Sequence, residues 1–228
     1  MTVVSHRGPV TISAAAAAVA VVLSGGPLAP HAHAGAEGAI SPGHPIAYIS
    51  AAGERTCTLG FVFTAHRHTY GVTAGHCVAD AGGYVVDAIS GYRGNVVSFD
   101  YDPTRRGNDF ALIGFGQAPA AATMLGTGVD GVSAPGADQP ICHTGVSSGT
   151  SCGQLAAHYG VAQYLTTGLN DIPGDSGGPV WTRHGIDDIA IIGIWLGSHT
   201  DHDATYGRFY PLKDALTQLR ASTTATTN

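Results

Sequence analysis

From about Ile40 onward the chain is cut into short apolar runs. "TCTLGFVFT", "HTYGVTAGH", "GGYVVDAI", "GNVVSFDY", "DFALIGF", "QPICHTG", "GQLAAHYG", "VAQYLTTG", "GPVWT" and "DIAIIGIWLGS" follow one another, with Gly, Asn or Asp between them. Each run has the length of a strand, and Val, Ile, Thr, Tyr and Phe are frequent within them. The polar triplet His66-Arg67-His68 reads as a turn joining two such strands. Strands of this number and spacing, with no repeat of fixed period, imply an all-β sandwich or barrel. The 33 glycines among 228 residues suit tight turns better than long helices.

Three segments depart from the series. "PLKDALTQLR" places Leu212, Ala215, Leu216 and Leu219 at helical spacing behind a proline, so a C-terminal helix is expected over residues 211–220. The polar residues 221–228 are expected to form a frayed tail. Residues 117–132, rich in Ala, Gly and Thr, read as a long connection between two halves of the fold.

The first 34 residues have the layout of an export signal. Arg7 precedes an apolar run from Pro9 to Leu23, and Ala32-His33-Ala34 fits a small-residue cleavage site. The run is shorter than the ~20 residues a spanning helix needs; an uncleaved anchor is the competing reading. Residues 35–39 would then be a short pro or linker segment, and the mature protein would be secreted or held at the cell surface. In an oxidising compartment four cysteines suggest two disulfides. Three pairings are open, and local spacing favours Cys57–Cys77 with Cys142–Cys152. The absence of CxxC spacing argues against structural zinc. A formal net charge of −6, with no Lys/Arg cluster along the sequence, gives nucleic-acid binding little support. No metal site, cofactor or stable membrane insertion is expected, and the protein is expected to be a monomer.

Three stretches carry the chemistry: "VTAGHC" around His76, "NDFALI" around Asp109 and "GDSGGP" around Ser176. A serine hydroxyl needs a base to take its proton, and imidazole titrates in the right range. The imidazole needs a buried carboxylate to fix its tautomer and steady its charged form. Alone, each stretch is weak; "GDSGGP" is also an ordinary glycine-rich loop and "NDFAL" says almost nothing.

Together, in the order His, Asp, Ser, the three blocks resemble those of chymotrypsin-like serine peptidases. "CTLGFVFT", "YGVTAGHC" and "ICHTGVSSGTSCGQL" narrow the resemblance to secreted actinobacterial enzymes of the streptogrisin and α-lytic type. It covers roughly residues 40–220. It implies two six-stranded antiparallel β-barrels, at about 40–118 and 133–210, with catalysis between them. It implies His76, Asp109 and Ser176 as a triad and the N–H groups of Gly174 and Ser176 as an oxyanion hole. Cys57–Cys77 would clamp the His76 loop and Cys142–Cys152 a hairpin near the specificity pocket.

The resemblance also marks departures. The bacterial relatives support the aspartate before the serine with an internal arginine; His143 occupies that position here and is expected to pair with Asp175. Animal relatives use a freed N-terminal amine, which a new terminus at Ile40 could supply. The relatives usually carry a long propeptide, and only a few residues separate Ala34 from Ile40. The specificity pocket would be lined by Asn170, Asp171, Trp195, Leu196, Gly197 and Ser198. Asn170 stands where trypsin-type enzymes keep an aspartate, which argues against a strict Arg/Lys preference, although Asp171 could restore some of it. The run "HTDHD" at residues 199–203 has metal-ligand residue types but reads better as a solvated loop. The function expected is that of a secreted serine endopeptidase acting on protein or peptide; the alternative is a catalytically silent relative that works by binding.

Overall fold

The computed structural model describes residues 38–80, 82–136 and 138–225. The expected export signal, the first residues of the linker and the end of the tail lie outside these residues. The described residues form β1 (Pro45–Ser50), β2 (Gly53–Thr58), β3 (Phe61–Ala65), β4 (His68–Thr73), a 3-10 turn at Gly75–Cys77, β5 (Tyr84–Asp87), β6 (Arg93–Tyr101) and β7 (Asp109–Gly114). There follow β8 (Thr123–Met124), β9 (Thr127–Val132), β10 (Ile141–Gly145), β11 (Gly149–Tyr159), β12 (Gln163–Thr167), β13 (Pro179–His184), β14 (Asp188–Asp201), β15 (Ala204–Pro211) and the helix α1 (Leu212–Ala225).

The strands build two sheets. The first has the order β2-β1-β5-β6-β7-β4-β3. It holds seven strands and forms a half-barrel, where six strands in a closed barrel are expected from sequence. The additional edge strand, β2, exposes its first four residues, so "GERT" has no apolar alternation to betray it. The second sheet closes as six strands, β13-β10-β11-β12-β15-β14, with β14 returning onto β13. The β3–β4 turn shows why a bulky pair can cap a hairpin. His66 and Arg67 both have positive φ, 49° and 66°, the conformation of a two-residue turn matched to strand twist.

Two other expectations change. Residues 117–132 are not a bare connection: β8 and β9 pair as a hairpin, and β9 lies parallel to β14, with Ile189 opposite Val129. The helix begins at Leu212 and continues to Ala225, past the expected end at Arg220. Leu212, Ala215 and Leu219 are buried and dock it; once a docked turn exists, further residues add at little cost.

One apolar cluster joins Val72, Phe110 and Ile113 of the first sheet to Ile191, Ile194 and Tyr210 of the second and to α1. A smaller one, around Ile141, Val180, Trp195 and Phe209, fills the closed barrel. Both disulfides form as the spacing favours, Cys57–Cys77 and Cys142–Cys152.

Candidate active site

The β4 strand ends in the Gly75–Cys77 turn, which carries His76 at the edge of the first sheet. Arg55 steadies this turn, donating from Nη1 to His76 O at 2.8 Å while its Nη2 meets Asp80 Oδ2 at 3.0 Å. Asp109 opens β7 and is 2% exposed, so its carboxylate needs partners. It finds them in one residue. Its Oδ1 accepts the backbone N–H of His76 at 2.9 Å, and its Oδ2 lies 2.8 Å from His76 Nδ1. Two contacts from two parts of one residue fix both the position and the roll of the imidazole.

Ser176 arrives from the second sheet. Its carbonyl accepts the N–H of Thr58 at 2.8 Å and lies 3.8 Å from the Cys77 sulfur. The serine is therefore anchored to the disulfide that also bears the His76 turn. Among the described residues no hydrogen bond joins Ser176 Oγ to His76; such contacts are commonly loose without a bound substrate.

The glycine-rich loop is shaped by close approach. Gly177 has a φ of 86°, and a side chain there would collide with Thr73 Oγ1 and Thr58 O. Gly174 has a φ of 108°, and a side chain would meet Ser147 Oγ. The carbonyls around Gly174 are turned inward: Ser147 Oγ donates to Pro173 O at 2.8 Å, and Thr58 Oγ1 donates to Gly174 O at 2.9 Å. The N–H of a peptide unit points opposite to its C=O. Fixing Pro173 O against Ser147 therefore directs the Gly174 N–H away from it. Thr58 and Ser147 lie within blocks that carry the resemblance, but nothing in those blocks assigns them this role; only contacts made across the fold reveal it.

Asp175 is fully buried and heavily bonded. Its Oδ1 accepts the N–H groups of Ser147 (2.9 Å) and Ser148 (3.0 Å), and its Oδ2 accepts that of Ile172 (2.9 Å). His143, also fully buried, brings Nε2 to 4.0 Å from Oδ2. That is ion-pair range but too long for a hydrogen bond. Burial works to raise the Asp175 pKa; the His143 ring beside it and the Ser148 and Ser147 donors more than offset this and hold the carboxyl well below the ordinary carboxylate range. The His143 ring stacks on Trp195, with centroids 4.2 Å apart and planes inclined by 13°. Ile40 is buried elsewhere: its N–H donates to Pro119 O at 2.7 Å and its carbonyl accepts from Ala121 N at 2.8 Å.

The expected pocket residues separate into two groups. Asn170, Asp171 and Ser198 line a cavity of about 270 Å³, together with Thr166 and Tyr206. Trp195 and Leu196 do not line it; both are buried. The Trp195 ring takes a slot that a side chain at Gly207 would fill, and it packs there because so large an apolar ring gains most from full burial. Asp171 is held in place, its Oδ1 accepting Trp195 Nε1 at 2.9 Å and its Oδ2 accepting Ser198 N at 2.8 Å. Gly197, with a φ of 92°, passes over that carboxylate. The run "HTDHD" ends β14 and turns into β15, with His202 at a φ of 50°.

Two closely packed sheets with His76, Asp109 and Ser176 at their junction define the chymotrypsin-type fold, and comparisons with known proteins agree. Thermobifida fusca protease A superposes with a TM-score of 0.58 at 24% identity, covering 80% of this chain and 96% of that one. Cellulomonas bogoriensis chymotrypsin superposes with a TM-score of 0.56 at 21% identity, covering 79% and 96%. The chain thus has the fold of the chymotrypsin-like serine proteases of actinobacteria. Among curated sequences an uncharacterized protein of Mycobacterium tuberculosis is 30% identical over 149 residues, a stretch covering 61% of this chain and 66% of the relative's length. No protein-family model matches.

Proposed function

We propose that the protein is an exported serine endopeptidase in which Ser176 attacks the substrate carbonyl with His76 as general base. Asp109 holds the imidazole with Nδ1 protonated, leaving Nε2 to take the serine proton and return it to the leaving amine. The N–H groups of Gly174 and Ser176 stabilise the oxyanion, and water then hydrolyses the acyl-enzyme by the same route. His143 assists Asp175 in supporting the oxyanion loop.

The observation that carries this reading is the double contact of Asp109 with His76, at 2.9 and 2.8 Å, on a turn whose disulfide sulfur lies 3.8 Å from the carbonyl of Ser176. A buried carboxylate spent wholly on orienting one half-exposed imidazole has little structural purpose. Two disulfides suit export, and no helix among the described residues is long and apolar enough to cross a membrane. Asn170 rather than an aspartate stands at the position the resemblance marks for Arg/Lys recognition, and both Asp171 oxygens are turned to Trp195 and Ser198, so the pocket favours medium apolar or polar side chains over Arg and Lys.

The test is covalent labelling of the disulfide-intact protein with a fluorophosphonate, beside Ser176→Ala. A single adduct mapped to Ser176 by mass spectrometry, absent in the variant, is the expected result. A folded wild type that takes no label would leave the silent, binding reading.

A further inference from the structure

Arg208 lies in β15 with 1% of its surface exposed. Neutral oxygens surround its guanidinium. Nη1 donates to Arg105 O at 2.7 Å and to Gln163 Oε1 at 3.0 Å, and Nη2 donates to Leu196 O at 3.2 Å. Gln163 is pinned in turn, donating to Gly107 O at 2.6 Å. Among the described residues no carboxylate comes within 4.0 Å of Arg208. Carbonyls satisfy the donors of an arginine without cancelling its charge, and arginine keeps that charge inside proteins. Asp109 and Asp171 act on this charge only from a distance, and a buried cation with no carboxylate in contact is costly to retain.

Arg208 is among the residues lining a cavity of about 330 Å³, with Thr104, Arg105, Tyr159, Ser198 and His199. Arg105 adds a second cation at the same wall, its Nη2 3.4 Å from Ser198 O. The Tyr159 and His199 rings pack 4.4 Å apart, with Arg106 5.6 Å from the Tyr159 centroid, so the wall is stiff. Asp201, next along β14, is largely exposed and lies 3.8 Å from His202 Nε2, and two further acids have their oxygens bonded. Asp102 is bonded to Thr104 N (2.9 Å) and Thr104 Oγ1 (2.6 Å), and Asp171 to Trp195 and Ser198. A chain of net charge −6 has here a cavity with two arginines and no free carboxylate among these wall residues.

The cavity also has a place relative to Ser176. Trp195 O accepts the N–H of Gly177 at 2.7 Å, so β14 leaves from beside the serine. From Trp195 to Ser198 the strand, bulged before Gly197, advances by less than the ~10 Å of three regular strand residues. Residues 104 and 105, which also line it, belong to the loop that runs into Asp109.

We infer that this cavity recognises an anionic side chain of the substrate, a carboxylate received by Arg105 and Arg208 two to four residues from the scissile bond. The identity of the ligand as a substrate peptide rests on the peptidase reading; the anion site itself does not. The incoming carboxylate supplies the contact counter-charge that Arg208 lacks, and a guanidinium fork binds it by charge-assisted hydrogen bonds.

The test uses Ser176→Ala, which binds without turnover, and Ala-rich hexapeptides with a single Glu or Gln walked through every position. Calorimetry at low salt is expected to show one Glu peptide binding roughly tenfold more tightly than its Gln twin. The preference should shrink at 0.5 M NaCl and fall to within about threefold when Arg105→Gln or Arg208→Lys is added. Melting curves of each variant establish that it is folded. Equal binding of Glu and Gln peptides at every position, no binding by either, or a preference unchanged in Arg105→Gln overturns the inference. A Glu preference in a protein whose wild type takes no fluorophosphonate would sink the peptidase reading and keep the anion site. Labelling without a Glu preference would do the reverse.

Discussion

The molecule contains two His–Asp pairs of almost the same geometry. In one, His76 Nδ1 lies 2.8 Å from Asp109 Oδ2; in the other, His44 Nδ1 lies 2.9 Å from Asp87 Oδ2. Both aspartates are buried and both histidines partly exposed. They differ in what else the carboxylate does. Asp109 gives its second oxygen to the backbone of the same histidine. Asp87 gives its second oxygen to Ser90 N (2.7 Å), Ser90 Oγ (2.8 Å) and Ile89 N (3.2 Å), and so builds the turn after β5. Of the two pairs, the first sits on a turn whose disulfide sulfur lies beside the carbonyl of a serine on a glycine-rich loop. A His–Asp hydrogen bond is thus no active site by itself; the third element makes the difference.

The comparison can be broken most severely at the first pair. His76→Ala or Asp109→Asn should lower kcat/KM by about 10⁴-fold, measured on any peptide the wild type cleaves. His44→Ala should leave kcat/KM within about twofold. Equal losses in the two histidine variants would erase the distinction.

Asp175 comes next. Asp175→Asn should lower kcat by roughly 10²-fold through disorder of the Gly174 N–H, and destabilise the fold by about 3 kcal/mol because buried donors lose their charge partner. The pH dependence has a definite sign. The folded-state pKa of Asp175 is depressed below the ~3.9 of an unfolded aspartate. Its stabilisation is complete above that value and is lost as pH falls through the folded pKa. Chemical denaturation from pH 5 down to pH 2 should give a steeper loss for the wild type than for Asp175→Asn.

Ser147 offers a smaller and sharper effect. Ser147→Ala should reduce kcat by about tenfold with KM unchanged, because the Pro173 carbonyl loses the donor that orients it. Ser147→Thr, which keeps the hydroxyl, should recover most of the rate. A fall in KM and kcat together, or no rescue by threonine, would assign Ser147 a merely structural role.

The smallest effect belongs to the second pair. The Asp87 pKa is raised by burial but lowered further by the His44 hydrogen bond and the Ser90 donors, with a net shift downward. His44→Ala should therefore cost about 1 kcal/mol, read as a drop of a few degrees in Tm.

Much of this was legible in the chain. Apolar runs marked most strands, because a strand buried on one or both faces must be written in Val, Ile and Phe. β2 escaped since its exposed "GERT" is polar, and β8–β9 escaped since Ala, Gly and Thr serve loops and short strands alike. His76, Asp109 and Ser176 were visible as local motifs. The roles of Ser147, Thr58 and Arg208 were not, because they lie in partners between 12 and 116 residues away. Trp195 misled for a related reason: position put it at the pocket, but its size sent it into the core against His143. His143 does stand beside Asp175, though backbone donors rather than its ring supply the hydrogen bonds.

The most direct measurement is the rate of fluorophosphonate labelling at Ser176 in wild type, Asp109→Asn and Asp87→Asn, side by side. The account predicts equal rates for wild type and Asp87→Asn and a rate lower by about 10³-fold or more in Asp109→Asn. Wild-type labelling in Asp109→Asn, or a folded wild type that does not label at all, would contradict it.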